Sequence, residues 1–319
     1  MKGLGLGTFR FFLAFLVAIS HLWENMLHGP AAYSVWGFFV LSGFLMTLVL
    51  SKKYGIDRSG LKKYAFNRFL RIYPSYIVGC IFGIIVLVLF QGDDTTVLNP
   101  SFRFPQTLTD YIHNFFMIPL PTQGLLVPVA GALFTEMWAY MLMPFSAKSR
   151  SAAWLGFLIT AFTNIHYGFS VETFGERYSF FTPAIVGFFV GSLCFHYFEV
   201  LKRFAMPKIS LMVWCLHAVL WWVDISYPWT YGIYVSLFCS AWVVISLFPI
   251  KTKDSDKLLG DMSYLVYLLH TTVGMCVYQY FEQRSFSFFC VAFTGTIILS
   301  YLMVVCFERP LQHRFKIKL

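Results

Sequence analysis

Residues 32–50 read Ala32-Tyr33-Ser34-Val35-Trp36-Gly37-Phe38-Phe39-Val40-Leu41-Ser42-Gly43-Phe44-Leu45-Met46-Thr47-Leu48-Val49-Leu50, nineteen positions without a charge. About 20 apolar residues in a helix cross the hydrocarbon core of a bilayer. Nine further runs repeat the pattern. The full set is about 11–28, 32–50, 72–90, 125–145, 152–167, 180–198, 209–223, 229–248, 258–280 and 286–307. The chain therefore reads as an all-α membrane protein: one domain over 1–319, a polytopic bundle of about ten transmembrane helices. The fifth and seventh runs are short, and tilt little or are partly re-entrant. The first resembles a signal peptide, with Lys2 and Arg10 ahead of it, but no A-x-A cleavage site follows directly and its interior holds His21 and Glu24.

Composition excludes the other classes. Only 12% of residues are charged and 58% are hydrophobic, 20% of all residues being aromatic; the mean hydropathy is +0.67. A soluble monomer of this length would leave large apolar patches outside. A cytosolic enzyme, a disordered chain and a nucleic-acid binder are ruled out together. The seven cysteines all sit in apolar runs without a C-x-x-C, and read as small buried hydrophobes rather than a disulfide or metal framework.

The net charge of +9 sets orientation. With ten spans and a cytoplasmic N-terminus, 21 of the 24 basic residues fall inside, from Lys2 and Arg10 to Lys316 and Lys318, and only Arg103, Arg177 and Arg284 fall outside. The positive-inside rule then puts both termini in the cytoplasm, with anionic lipid as a neighbour. Residues 51–75 form a basic inner connection. Residues 91–124, with Pro100, Pro105, Pro119 and Pro121, form an outer one long enough to cover or shape a site.

Ionisable groups inside apolar spans default to functional suspicion. Arg10 and His21 are eleven residues apart, about three helical turns, so they share a face with an axial separation of about 16 Å. A phosphate-binding cation below and a titratable imidazole above would fit a long cosubstrate with an anionic head and a reactive tail. A snorkelling arginine and a core histidine bonded to a carbonyl are the bland alternative. Glu24 either orients His21 or reaches the outer interface. Glu136, near the middle of the fourth run, needs a partner, a proton or a wet cavity. A helix–helix hydrogen bond is the structural alternative. Gly43 suits close helix packing, while Ser42 is open on spacing alone. Arg68 and Arg71, neighbours at i,i+3, suit phosphates or lipid headgroups. His270 is a second intramembrane imidazole and His217 a weaker third; His28, His113, His166, His196 and His313 read as ordinary. No Walker loop, dinucleotide fingerprint, nucleophile elbow or zinc motif occurs.

These residues carry a resemblance. Arg10, ten residues, then His21; Gly37-Phe38-Phe39-Val40-Leu41-Ser42-Gly43-Phe44-Leu45; Arg68 through Pro74; Thr135-Glu136-Met137-Trp138; Ser263-Tyr264 through His270; and Glu308-Arg309-Pro310 follow in order. The chain resembles acyltransferase family 3, the integral membrane acyltransferases, over nearly its whole length. The Thr-Glu of the fourth run departs from the Val-Glu common there. The resemblance implies transfer of an acyl group, most often acetyl, from cytoplasmic acyl-CoA to a hydroxyl of a cell-surface or exopolysaccharide glycan or its lipid-linked precursor. It implies a location in the inner (plasma) membrane. It also implies acyl-CoA, most often acetyl-CoA, as cosubstrate rather than a permanent cofactor or metal, and allows for protein partners in glycan assembly. No attached hydrolase-like domain, present in some relatives, is expected. On this reading His21 and Glu136 are catalytic: His21 is a general base or an acyl carrier, and Glu136 orients it or stabilises its charge. Arg10, Arg68, Arg71, His270 and Ser42 bind the donor. A proton-coupled transporter or flippase is the alternative, and a structural partner without chemistry a third.

Overall fold

The structure, a computed structural model, describes all residues except 1–3, 27, 28, 91–94, 119, 121, 224, 225, 282 and 316–319. Lys2, His28, Pro119, Pro121, Lys316 and Lys318 of the sequence reading lie outside the described residues. The helices are α1 (Leu6–Leu22), α2 (Ala31–Val49), α3 (Arg58–Leu89), α4 (Leu108–Phe116), α5 (Ala130–Lys148), α6 (Arg150–His166), α7 (Phe174–Ser179), α8 (Phe181–Ala184), α9 (Val186–His196), α10 (Phe198–Leu201), α11 (Pro207–Val223), α12 (Ile233–Leu247), α13 (Asp254–Tyr278), α14 (Phe286–Met303) and α15 (Arg309–Phe315). Among the described residues there is no strand.

Each of the ten apolar runs lies on a helix, but the ends differ where capping overrides hydropathy. The first helix covers 6–22 rather than 11–28, because Gly5 is the extended N-cap and Trp23 turns extended at the other end. The inner connection proposed for 51–75 is mostly helical. A π-turn over Leu50–Tyr54 extends α2, Gly55 takes a left-handed φ of 78°, and Asp57 caps α3 by accepting from the Ser59 and Gly60 amides. Lys and Arg are good helix formers, so α3 begins well before its apolar part. The sixth run is broken: its two halves, Phe181–His196 and Phe198–Phe204, meet at 75°.

Four segments, Ala31–Tyr54, Arg58–Leu89, Pro228–Leu247 and Phe286–Phe315, are long and apolar enough to cross a membrane, and the bent pair makes a fifth. Several such helices make this a multi-pass membrane protein. Lipid-facing surface is visible on the outer helices, where Ile85, Val88, Leu158, Phe162, Met212, Leu216 and Ile298 are exposed. Cys215, Cys290 and Cys306 share that surface, so the expectation that every cysteine is buried holds for Cys80, Cys194 and Cys239 but not for these. Of the helices bearing the intramembrane ionisable residues, α1 is apolar but short at 17 residues, while polar residues dilute α5 and α13.

Inside the bundle α1 packs chiefly on α13, and α2 on α9 and α12. The α2–α9 contact is backbone to backbone: a Cβ on Gly43 would lie 2.0 Å from the Phe188 carbonyl oxygen, and one on Gly191 2.0 Å from that of Val40. Small residues here bring the helices together.

The described part of the connection read above as an outer loop packs back against the helices. Tyr73 and Tyr76, just beyond Arg71 on α3, donate to the Phe115 and Asn114 carbonyls at 2.7 and 2.8 Å. Trp138, two residues past Glu136, donates to the Met117 carbonyl at 2.8 Å. The end of α4 therefore sits near the depth of Glu136. Further along, the chain passes α3 where a Cβ on Gly83 would meet the Leu126 oxygen at 1.9 Å. Irregular backbone at membrane depth is tolerated only when buried in protein or lining a cavity. Asn114 meets that need by donating to the Asp110 and Gly124 carbonyls and accepting from the Leu126 amide. At the head of α4, Thr107 and Asp110 form a capping box, and Thr122 donates to Asp110 at 2.6 Å. The Thr122 hydroxyl, with the Gln106, Gln123 and Thr107 amides, holds the Asp110 carboxyl well below the usual carboxylate range.

Candidate functional site

Two contacts fix α1 against α13. At the N-terminal end, the Asp256 carboxylate accepts from the amides of Gly5 (3.0 Å), Gly7 (3.2 Å) and Thr8 (2.7 Å) and from the Thr8 hydroxyl (2.7 Å). A side chain on α13 thus satisfies the orphan donors that begin α1. At the other end, His21 Nδ1 lies 2.9 Å from His270 Nε2, with the rings inclined by only 9°. Gly7 to Asp256 and His21 to His270 are both 249 positions apart, so the two helices run parallel in constant register for about 21 Å. Asp256→Ala is expected to lower stability by about 1–2 kcal/mol, the worth of a lost cap. Gly7→Ala, whose Cβ would lie 1.9 Å from the Asp256 carbonyl oxygen, should be at least as damaging. Thermal unfolding in detergent measures both, and unchanged midpoints would refute the clasp.

The partners assign the tautomers of the histidine pair. His270 Nδ1 faces the Val266 carbonyl at 3.0 Å, and a carbonyl can only accept. In the uncharged pair His270 Nδ1 therefore carries its hydrogen, and its Nε2 accepts from His21 Nδ1. This leaves the lone pair of His21 on Nε2. His270 is completely buried, whereas His21 keeps some exposed surface. The arrangement is a base held by a second group through its far nitrogen. His270, counted above among donor-binding residues, contacts His21 and not the arginines. Glu24, one candidate to orient His21, is exposed, and its amide bonds to the Arg284 carbonyl.

A second cluster lies about three turns away at the Arg10 end of α1. Arg10, Ser42, Arg68, Arg71, Glu136 and Tyr140 line one cleft of about 50 Å³. Glu136 accepts from Ser42 at 2.7 Å and from Tyr140. Its partners are therefore on α2 and on its own helix, at the level of Arg10 rather than of His21. Arg71 is held by Asp261 at 3.1 Å, and Asp261 is shared with Arg309 at 3.2 Å. The Nε atoms of Arg10 and Arg68 are buried without a hydrogen-bond partner. Buried donors of a charged group are costly to leave unpaired, so these two arginines are the ones equipped to receive an anion.

The cluster opens onto a mouth of about 320 Å³, with Arg10, Arg71, Lys257, Asp256 and Asp261 in its wall. Lys257 was not singled out by sequence, since it lies in an ordinary-looking charged helix start. A further cleft of about 40 Å³ reaches from Arg10 and Glu136 to Tyr267, whose ring is 6.3 Å from that of His270. Clefts of 40 and 50 Å³ hold a water or so. A cosubstrate arm can pass only if the Ser42–Glu136–Tyr140 contacts part.

The remaining histidines separate clearly. His196 bonds the Ser146 carbonyl and His217 the Tyr227 hydroxyl, both structural. His166 and His313 are exposed. His113 is different: it is buried in the segment that packs back against the helices, a place that hydropathy assigns to a loop. Among the described residues no group of His, Cys, Asp and Glu has the grouping to hold a metal ion.

Comparison with curated proteins and with solved structures gave no match. A family model described as an acyltransferase domain matches residues 4–305. That stretch contains both the histidine pair and the arginine cluster, and with nearly the whole chain matched, this membrane protein belongs to acyltransferase family 3.

Proposed function

We propose that this acyltransferase moves an acyl group, most economically acetyl, from acyl-CoA to a hydroxyl of a surface glycan or its lipid-linked precursor. The observation that carries the reading is the line along α1 from a basic mouth at Arg10 to a histidine base at His21. The phosphates of the donor sit among Arg10, Arg68 and Arg71, and the arm runs along α1 so that the thioester reaches His21. His21 Nε2 takes the proton of the acceptor hydroxyl. The oxygen attacks the thioester carbonyl, the carbon–sulfur bond breaks, and the proton passes to the departing thiolate. His270 is a positioning residue that keeps the His21 lone pair on Nε2. Glu136 and Ser42 are a gate between mouth and histidines.

The positive-inside count supports ten spans with both termini in the cytoplasm, which puts the mouth on the acyl-CoA side of the inner membrane. With native cysteines replaced, single cysteines at Ser51 and Asp254 should resist an impermeant thiol reagent in intact cells, and one at the exposed Gln106 should react. Labelling at Ser51 from outside would reverse the orientation. The chemistry is tested by radiolabelled acetyl-CoA added to inverted membrane vesicles, with mass spectrometry of surface glycans from cells with and without the protein. Glycan acylation should depend on the protein, and identical spectra would remove the glycan acceptor.

A further inference from the structure

Beside the clefts already described lies a larger cavity of about 450 Å³, and its wall includes Phe39, His113, Ala132, Tyr178, Phe180 and Phe181. Phe39 and Ala132 also line the cleft that holds Arg10, Glu136 and Tyr267, so the two spaces share a wall. None of the described residues lining the larger cavity is an aspartate, glutamate, lysine or arginine. Its one buried polar ring is His113, 4% exposed and edge-on to Phe134 with centroids 4.5 Å apart. The Leu120 amide donates to His113 Nδ1 at 3.2 Å. Nδ1 therefore holds a lone pair, the ring is neutral, and the hydrogen is on Nε2. That Nε2 is buried without a hydrogen-bond partner. A native protein leaves such a donor unpaired for a reason, and a ligand acceptor atom is one.

We propose that this cavity is the acceptor-binding site, that His113 Nε2 donates to an oxygen of the acceptor there, and that the moiety bound is a neutral sugar ring. The inference rests on the acyl-transfer reading above and adds the place and chemical class of the acceptor. Aromatic faces cover the apolar faces of a sugar, and the single buried donor fixes its orientation. With no cation in the wall, a uronate or phosphorylated ring would be desolvated without a counter-charge. Ala132, a small side chain, stands at the shared wall, and the cleft beyond it reaches Tyr267, whose ring neighbours that of His270. His113 is a binding residue here, in contrast to its ordinary reading from sequence.

Two measurements test this. In the vesicle assay, His113→Phe keeps the ring and deletes the donor, and should lower transfer to glycan roughly 5- to 10-fold, the worth of one hydrogen bond, with acetyl-CoA binding unchanged. His113→Gln, which can still donate, should recover part of the loss, and Gly131→Leu, which lines the larger cavity but none of the donor clefts and whose Cβ would meet no heavy atom within 4 Å, should abolish transfer with donor binding intact. Normal transfer by His113→Phe and Gly131→Leu overturns the site, whereas absence of transfer by the unsubstituted protein overturns the functional reading instead. The second measurement needs no activity: Ser179→Cys, at the exposed rim of the cavity, is labelled with a maleimide in the presence of methyl β-glucoside or glucuronate. The glucoside should slow labelling, the glucuronate should not, and His113→Phe should remove the protection. Equal rates with both sugars and with neither overturn the assignment.

Discussion

His21→Ala is expected to lose about 10²- to 10⁴-fold in kcat, the usual contribution of a general base, with the KM for acyl-CoA nearly unchanged. The reason is geometric. His21 Nε2 is the only lone pair the paired imidazoles leave available, since the other three ring nitrogens are committed to each other and to the Val266 carbonyl. His21→Gln should not restore the rate. His270→Ala should be milder, because it frees the tautomer of His21 without deleting the base, and the loss should fall on kcat rather than on donor binding. The double variant should be little worse than His21→Ala alone, since the two act as a unit. Steady-state kinetics on purified protein in nanodiscs separate these outcomes. A dead His270→Ala beside a near-normal His21→Ala would reverse the assignment. Trapping of an acyl group on His21 after mixing with donor alone would make it a carrier in place of a base.

The second large effect is expected at the arginines. Arg10→Ala and Arg68→Ala should each raise the apparent KM for acyl-CoA roughly 10- to 150-fold, since a hydrogen bond to a charged group is worth about 1.5–3 kcal/mol. Arg71→Ala should cost less in donor affinity, because its guanidinium is already engaged by Asp261. It should cost more in stability, since it takes one of two cations from that carboxylate. Direct binding of radiolabelled acyl-CoA to each variant gives the ranking. Donor affinities equal to the unsubstituted protein in all three would assign these arginines to lipid headgroups.

The polar residues were legible because intramembrane charge is costly enough to stand out: Arg10, His21, Glu136 and His270 all announce themselves against apolar neighbours. That the chain is helical and crosses the membrane more than once was legible for the same reason, since each apolar run must satisfy its backbone internally. What hydropathy does not encode is partnership. Ser42 gave no sign that it meets Glu136, ninety-four positions away, nor Asp256 that it caps a helix at the opposite end of the chain. Helix ends were misjudged at 6–22 and 58–89 because caps and basic helix formers decide them, not mean apolarity. The way the described residues between 95 and 129 pack back against the helices was hidden most thoroughly. Its prolines and polar residues look like an outer loop, whereas Asn114, bonding its own backbone on both sides, together with Tyr73, Tyr76 and Trp138 from the neighbouring helices, satisfies its described backbone.

The shared offset of 249 between α1 and α13 has a consequence for how sequences of this kind can change length. Adding or removing one residue between Gly7 and His21 would displace the imidazole by about 1.5 Å along the axis and about 100° around it, taking it off His270 while the clasp at Asp256 held. The same change made in both helices at once would leave both contacts in place. Length variation among relatives should therefore be absent from the stretches 7–21 and 256–270, or appear in the two together, and should collect in connections such as 167–173 that neither contact spans.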